Sequence, residues 1–399
     1  MPIAPEFGIF ALTLLGVALF HRYTLHIAAA GLLVVVMYKL LGPGFATGPG
    51  LAGLAEHLTH EWPTFANLMS LLLGFALIAR HFEESRVPVL LPRYLPDDWT
   101  GPLAMLAMVF VISSFLDNIA AALIGGAMAH TLFRGRVHVG YLAGIVAASN
   151  AGGSGSVVGD TTTTMMWIDG VSPTDLFHAY VGAGVTLVVF GIPASLQQQR
   201  YSPIIKHAPP HADLDWGRLA IVAGVLGTAI LTNVLVNTQL PDLADRFPFI
   251  GIAVALALLI SVAVRKPDWK VVPSTLRSTL FLLSLVASAS LMPVEKLPPA
   301  SWETTLGLGF VSAVFDNIPL TALALRQGGY DWGFLAYAVG FGGSMIWFGS
   351  SAGVALSALY PEAKSTGRWL KNGWHVPLAY VAGFAVLLLV MGWKPHAPH

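Results

Sequence analysis

The chain contains 399 residues, of which 55% are hydrophobic and only 11% are charged. This composition is typical of a polytopic membrane protein, so we expect the chain to be embedded in a lipid bilayer. Lysine plus arginine and aspartate plus glutamate both number 21, so no excess of charge favours a nucleic acid partner. The absence of cysteine excludes disulfides, thiolate metal sites and cysteine nucleophiles.

Long apolar segments predict an all-α protein that crosses the membrane many times. Taken along the chain, the predicted elements are spans near 7–20, 24–41 and 63–79, a two-armed segment at 100–133, a long segment at 137–168, spans near 176–194, 217–235, 248–264 and 277–293, a second two-armed segment at 301–327, a second long segment at 331–358, and a last span near 375–393. The simple spans approach the length that a hydrocarbon core of ~30 Å requires.

The long segment 137–168 carries a polar stretch, from Asn150 to Thr164, in the middle of apolar sequence. Glycine is a poor helix former, and unwound backbone at membrane depth is tolerated only where protein buries it or where it lines a cavity. The stretch therefore predicts a helix broken near the midplane, with Asp160 as an intramembrane carboxylate of functional importance. In the alternative interpretation, the glycines serve tight helix packing and the hydroxyls bond back to their own helix.

The two-armed segments 100–133 and 301–327 each change direction at an Asp-Asn pair, Asp117-Asn118 and Asp316-Asn317. These pairs predict the tips of re-entrant hairpins, where a carboxylate and an amide carbonyl offer hard oxygen donors for a small cation. The structural alternative is that each pair only turns the chain and caps the returning arm, because both residue types satisfy local backbone groups well.

The two halves of the sequence repeat one another. Asp316-Asn317 follows Asp117-Asn118 by 199 residues, and Gly152-Gly153-Ser154 is matched by Gly342-Gly343-Ser344. Each half holds about five transmembrane helices and one hairpin, and an odd number of spans gives the halves opposite orientations. The sequence thus predicts two inverted repeats, 1–194 and 217–399, joined by a linker at 195–216, as in many secondary transporters.

Basic residues orient the predicted spans. If both two-armed segments are re-entrant hairpins, Arg80, Arg134, Arg136, Arg265 and Lys266 fall on one side, whereas the opposite loops are poor in lysine and arginine. The positive-inside rule then predicts ten full spans with both termini outside, in a bacterial cytoplasmic membrane. In the alternative, the two segments cross the membrane fully, and the second half still places its basic loops acceptably.

Several of these motifs together resemble one known family. Asp117-Asn118, Asn150-Ala-Gly-Gly, Gly159-Asp160-Thr-Thr-Thr-Thr-Met165 and Asp316-Asn317-Ile-Pro resemble the NhaD-type sodium/proton antiporters, in the arsenite-permease and NhaD branch of the ion transporter superfamily. The resemblance implies two inverted halves and exchange of Na⁺ or Li⁺ for H⁺, with these ions as cargo and no cofactor. In the second broken helix, Ser350 and Ser351 stand opposite Asp160 and Thr161, so the two half-sites are unequal.

The predicted site combines the hairpin tips with the two helix breaks. Asp117, Asp160 and Asp316 are the predicted Na⁺ ligands, and Asp160 is the predicted main coupling residue. The full set of predicted cation- and proton-binding residues is Asp117, Asn118, Asn150, Ser154, Ser156, Asp160, Thr161, Thr162, Asp316, Asn317, Ser344 and Ser350. The predicted helix-break glycines are Gly152, Gly153, Gly155, Gly342 and Gly343.

Two other functions stay open at the level of sequence. An anion or metalloid permease of the same superfamily would favour helix N-termini and arginine as anion donors, and no arginine occurs in the core motifs. An intramembrane protease would use Ser154, within Gly152-Gly153-Ser154-Gly155, with His178 as its base. Expected partners are the lipid bilayer, small inorganic cations and a second copy of the chain in a homodimer.

Overall fold

The computed structural model describes residues 4–20, 23–90, 94–204, 213–240, 243 and 246–396. Most of these residues are helical, short 3-10 turns occur between helices, and none of the described residues forms a β-strand. The described part of the first half contains α1 (Pro5–Leu19), α2 (Thr24–Leu41), α3 (Gly50–Glu84), α4 (Val87–Leu90), α5 (Thr100–Ser113), α6 (Asn118–Leu132), α7 (Val139–Ser154), α8 (Thr161–Ile168), α9 (Pro173–Phe177) and α10 (Ala179–Tyr201).

The second half follows the same order of long, short and interrupted helices. Its described helices are α11 (Trp216–Gln239), α12 (Phe249–Ser261), α13 (Val272–Ser290), α14 (Trp302–Ser312), α15 (Asn317–Gln327), α16 (Trp332–Gly342), α17 (Ser351–Leu359), α18 (Thr366–Asn372) and α19 (His375–Met391). A single 3-10 turn, Gly343–Met345, follows α16 directly.

The chain is a multi-pass membrane protein. Five of its described helical segments are long and apolar enough to cross a bilayer, and a sixth qualifies if α18 and α19, bent by 58°, form one span. The sequence predicted ten full spans, whereas five or six helical segments of the described chain reach spanning length. The difference arises because α7 and α16 stop partway, and because α1 and α12, at 15 and 13 residues, are shorter than a span needs.

Helix bounds differ from the predicted ones in two places. Helix α3 runs for 35 residues with Pro63 inside it, although the apolar pattern indicated only 63–79. Its first turns contain charged residues that interrupt the apolar run without breaking the helix. Helix α10 continues through Gln197, Gln198 and Gln199 to Tyr201, because glutamine is a good helix former. The predicted linker 195–216 is therefore helical at its start, and its residues 205–212 lie outside the described residues.

The helices pack in two groups. The first three spans of each half (α1 to α3 and α11 to α13) contact one another, whereas the helix pairs, the interrupted helices and α10 and α19 form the second group. Residues of α8 and α15, such as Met165 and Ile318, pack against the first group. The predicted polar residues thus lie in the second group, close to its boundary with the first.

Candidate functional site

The first helix break lies between α7 and α8, where glycines allow backbone to approach backbone. A Cβ atom on Gly152 would lie 2.0 Å from the Phe110 carbonyl oxygen, and one on Gly159 would lie 2.3 Å from that of Ser113. Both carbonyls belong to α5, so this helix sits directly against the break. The packing interpretation of the glycines therefore applies at these two positions, and the helix is also broken there, as the sequence predicted.

The second break, between α16 and α17, repeats these contacts. A Cβ atom on Gly342 would lie 2.3 Å from the Gly309 carbonyl oxygen, and one on Gly349 would lie 2.4 Å from that of Ala313. The Ser113 hydroxyl donates to the Ser149 carbonyl, and the Ser312 hydroxyl donates to the Val339 carbonyl in the same way. The two breaks therefore share one backbone arrangement.

Asp160 is the carboxylate at the centre of the site. It caps α8 by accepting the Thr162 amide at Oδ1, 3.2 Å away, and only 2% of the residue is exposed. Its Oδ2 accepts a hydrogen bond of 3.2 Å from Asn317 Nδ2, which comes from the other half of the chain. A buried carboxylate requires such donors, because leaving it unpaired would be costly. Asp160 is thus held between the two halves.

A second polar connection links the halves through neutral side chains. Asn118 Nδ2 donates to Asn150 Oδ1 over 3.0 Å, and Asn150 Nδ2 donates to the Ser344 hydroxyl over 2.9 Å. All three residues are buried. Hydrogen bonds therefore connect the tip of the first helix pair to residues beside the first break and beside the second break.

The two other predicted acids occupy equivalent positions at the tips of the helix pairs. Asp117 caps α6 by accepting the Ile119 amide, and Asp316 caps α15 by accepting the Ile318 amide, each over 3.1 Å. The capping interpretation is correct for one oxygen of each. Asp316 Oδ2 also accepts the Ser351 hydroxyl, 3.0 Å away. Both acids lie close enough to Asp160 for their charges to interact. Among the described residues, however, no three His, Cys, Asp or Glu side chains are grouped closely enough to hold a metal ion.

The predicted hydroxyl residues divide into structural and uncommitted groups. Ser154 donates to the Ala151 carbonyl of its own helix, and Ser156 donates to the Ser114 carbonyl. Ser350 caps α17 by accepting the Gly353 amide. By contrast, the Thr162 hydroxyl is buried beside Asp160 and makes no well-aligned hydrogen bond with any described residue. Thr161 is buried next to it.

Other glycines around the breaks contact an aromatic ring or backbone carbonyls. Gly155 lies against the ring of Tyr180, whose nearest atoms would be 2.6 Å from an added Cβ, and Gly153 and Gly343 face the carbonyls of Gly159 and Gly349.

Gly340 was missed by sequence reasoning. It occupies the position of Asn150 in the second half, and a Cβ there would lie 3.4 Å from Asp160 Oδ2. Alignment of the two glycine motifs is the signal that reveals it.

The arrangement gives no support to the two other functions. The Ser154 hydroxyl is bonded within its own helix, and no hydrogen bond joins it to His178 in the described part of the chain. No arginine or lysine hydrogen-bonds to Asp160, Asn150 or the two helix-pair tips among the described side chains. The chemistry of the group is that of oxygen donors around a buried carboxylate, which suits a hard cation.

Comparisons with known proteins agree with this chemistry. No protein-family model matches the chain. It is 28% identical over 328 residues to sodium/proton antiporter 1 of Arabidopsis thaliana, covering 71% of this chain and 54% of that protein. It is 28% identical over 387 residues to the Na⁺/H⁺ antiporter NhaD of Halomonas elongata (80% and 75% covered) and 26% identical over 392 residues to that of Vibrio parahaemolyticus (82% and 90%).

Among solved structures, the YdaH transporter of Alcanivorax borkumensis is similar at 15% identity with a TM-score of 0.47, covering 94% of this chain and 98% of that one. The chain spans about half the length of the plant antiporter that it matches. The sequence matches confirm the resemblance that the Asp-Asn and Gly-Asp-Thr motifs indicated.

Proposed function

We propose that this chain, which is related to the NhaD-type sodium/proton antiporters, exchanges Na⁺ or Li⁺ for H⁺ across the membrane. One observation carries the proposal. Asp160 is a buried carboxylate at a helix break, and side chains from both halves of the chain lie around it. Intramembrane acids are expensive to maintain, and they commonly mark ion pathways and proton relays.

The proposed mechanism is competition between a proton and a cation for the same oxygens. Burial disfavours a charged carboxylate, so an empty, enclosed Asp160 would favour the protonated form. A bound Na⁺ favours the ionised form, and it thereby displaces the proton. If the site opens to one side of the membrane at a time, loading either Na⁺ or H⁺ at each opening is sufficient to couple the two fluxes.

The oxygens around Asp160 supply the proposed cation ligands. Thr162 Oγ1 lies beside the carboxylate and can turn a lone pair toward a cation, because no well-aligned bond commits its proton. Asp117 and Asp316 contribute negative charge, and the Asn118–Asn150–Ser344 chain and Asn317 hold the two halves in register. The remaining proposed contributors are Thr161, Ser154, Ser156 and Ser350. The exchange needs no cofactor.

We propose that the halves 1–194 and 217–399 are inverted repeats and that the pairs α5–α6 and α14–α15 are re-entrant hairpins. The repeated glycine and serine contacts at the two breaks support this proposal. The first three spans of each half would then form a scaffold, against which the second group of helices moves. Orientation with both termini outside, residence in a bacterial cytoplasmic membrane, and a homodimer formed through the scaffold belong to the same proposal.

Reconstitution tests the proposed exchange. Purified protein in proteoliposomes with an imposed pH gradient should dissipate that gradient when Na⁺ or Li⁺ is added, and K⁺ or choline serves as the control cation. Empty liposomes measure leak. Protein that transports arsenite or a dicarboxylate, but gives no cation-dependent proton movement, would show that the proposal is wrong and that the permease alternative is right.

A further inference from the structure

The short helix α18 has one buried face and one exposed face of unusual composition. Trp369 is 1% exposed, whereas Arg368, Leu370 and Lys371 on the same helix are exposed, and so is Lys364 just before it. Residues three positions apart, such as Arg368 and Lys371, share one side of a helix. The exposed face of α18 is therefore basic with an apolar residue beside the charges.

These three cations have no acidic partner among the residues that the structure describes. Arg80, Arg218, Arg265 and Arg326 each form an ion pair with a carboxylate. No ion pair involving Lys364, Arg368 or Lys371 occurs among the described residues. The same segment holds one acid, Glu362, which is half-buried, so an excess of two positive charges remains there.

An apolar stripe follows α18 along the chain. Trp374, the residue just before α19, is 51% exposed, and Leu378 (54%) and Val381 (45%) on α19 follow it at the i+4 and i+7 positions. Such an apolar stripe on a membrane-spanning helix faces hydrocarbon, and tryptophan marks the level of the headgroups. The basic face, at the same end of this stripe as Trp374, therefore lies where phospholipid headgroups are found.

We propose that the basic cluster formed by Lys364, just before α18, and by Arg368 and Lys371 on α18 binds the headgroups of anionic phospholipids. Clusters of lysine and arginine beside a span attract anionic lipids, and each such residue near the surface contributes about 1 kcal/mol, which is about fivefold in affinity. Continuity with the apolar stripe of α19 favours a lipid over a soluble phosphate, because a free anion would gain nothing from Leu370 and Trp374.

The buried face of α18 connects this surface to the candidate site. Trp369 Nε1 donates to the Ser344 carbonyl over 3.3 Å, and Trp347 Nε1, from the second break, donates to the Thr366 hydroxyl over 3.1 Å. Ser344 in turn accepts from Asn150. A lipid that fixes α18 therefore also fixes the second break, and we infer that anionic lipid alters the apparent Na⁺ affinity. This second step rests on the proposed function, whereas lipid binding does not.

Lipid binding is tested with the full chain in phosphatidylcholine nanodiscs, titrated with fluorescent phosphatidylglycerol. The triple variant Lys364→Gln, Arg368→Gln, Lys371→Gln should bind phosphatidylglycerol about 100-fold more weakly than wild type. A charge-matched control carries Arg200→Gln, Lys266→Gln, Lys270→Gln, which alters exposed cations elsewhere, and should stay within about threefold of wild type. Thermal unfolding verifies that both variants are folded.

Three results would overturn the binding proposal. They are a triple variant that keeps the wild-type preference for phosphatidylglycerol, a control that loses it equally, and competition by soluble glycerol phosphate as strong as that by the lipid. The coupling step has its own variant, Trp369→Phe, which keeps an aromatic ring of smaller size and removes the N–H donor. It should bind lipid as wild type does, while phosphatidylglycerol no longer shifts the Na⁺ dependence of exchange. A shift as large as in wild type would refute the coupling and leave the binding intact.

Discussion

The two helix breaks have the same backbone contacts but different side chains. In the first break, Asn150 and Asp160 carry an amide and a carboxylate, whereas Gly340 and Ser350 occupy the matching positions of the second. The Asn118 amide bonds to Asn150 in its own half, but Asn317 finds glycine at the equivalent place and bonds across to Asp160. Because residue 340 has no side chain, space remains there in which the Asp160 carboxylate meets the other half of the chain.

The breaks also differ in enclosure. Val157 and Val158 in the first break are 6% and 5% exposed, whereas Ile346, Trp347 and Phe348 in the second are half-buried. The carboxylate is therefore placed in the more enclosed of the two breaks, where desolvation most strongly opposes a lone charge. Two breaks with similar backbone contacts thus hold different side chains, a carboxylate at Asp160 in the first and a hydroxyl at Ser350 in the second.

The largest effect should come from removing the charge of the first break. Asp160→Asn keeps the size of the side chain and removes its titratable group, so exchange should fall by about 100-fold or more, which is about 2.7 kcal/mol. Ser350→Ala, at the matching position, should retain most activity. Gradient dissipation in proteoliposomes measures both. Wild-type exchange and an unchanged pH profile in Asp160→Asn would transfer the coupling role to the helix-pair acids, with Asp117 the first candidate.

The space at Gly340 can be filled directly. Gly340→Asn copies Asn150 into the second half, and its Cβ alone would lie 3.3 Å from Ser154 Cβ and 3.4 Å from Asp160 Oδ2. Overpacking of this kind costs about 1–3 kcal/mol, so the apparent Na⁺ affinity should fall by about tenfold or more. Gly340→Ala adds only the Cβ atom, in the same 3.3 Å contact with Ser154 Cβ, and is the matched control because it carries no amide group. Equal affinity in Gly340→Asn and wild type would mean that the empty position has no part in the site.

The two tip asparagines should be unequal for the same reason. Asn317 donates to a carboxylate and Asn118 to a neutral amide. Hydrogen bonds to charged groups contribute about 1.5–3 kcal/mol, against about 0.5–1.5 kcal/mol for neutral ones. Asn317→Ala should therefore raise the Na⁺ concentration for half-maximal exchange about tenfold more than Asn118→Ala does. A reversed order would show that the Asn118–Asn150–Ser344 chain is the main contributor to the site.

Much of the arrangement of the two breaks could be predicted from the sequence, because glycine clusters and Asp-Asn pairs are local signals that occur once in each half. The helix breaks and the caps at Asp117 and Asp316 follow from them. The partner of Asn317 could not be predicted, because it depends on how two segments 157 positions apart in sequence pack together. The full length of α3 was missed because charged residues interrupt its apolar run without interrupting helix formation.

The smallest predicted effect concerns two adjacent threonines in the first turn of α8, next to the first break. Thr163 donates its hydroxyl proton to the Ser156 and Asp160 carbonyls, whereas the Thr162 hydroxyl makes no well-aligned bond with a described residue. Because no well-aligned hydrogen bond ties the Thr162 hydroxyl to the fold, we expect it to matter for cation binding more than for stability. Thr162→Val should therefore weaken Na⁺ several-fold, by about 1 kcal/mol, without lowering the melting temperature in Na⁺-free buffer.

Thr163→Val provides the opposite outcome from a nearly identical substitution. It removes hydroxyl hydrogen bonds that join α8 to the preceding loop, so it should lower the melting temperature while changing the Na⁺ dependence less than Thr162→Val does. Thermal unfolding with and without Na⁺, together with exchange rates across Na⁺ concentrations, separates the two. If Thr162→Val destabilised the Na⁺-free protein and left Na⁺ affinity unchanged, the hydroxyl would be a structural group. The cation ligands of the first break would then have to come from Asp160 and the freed backbone carbonyls alone.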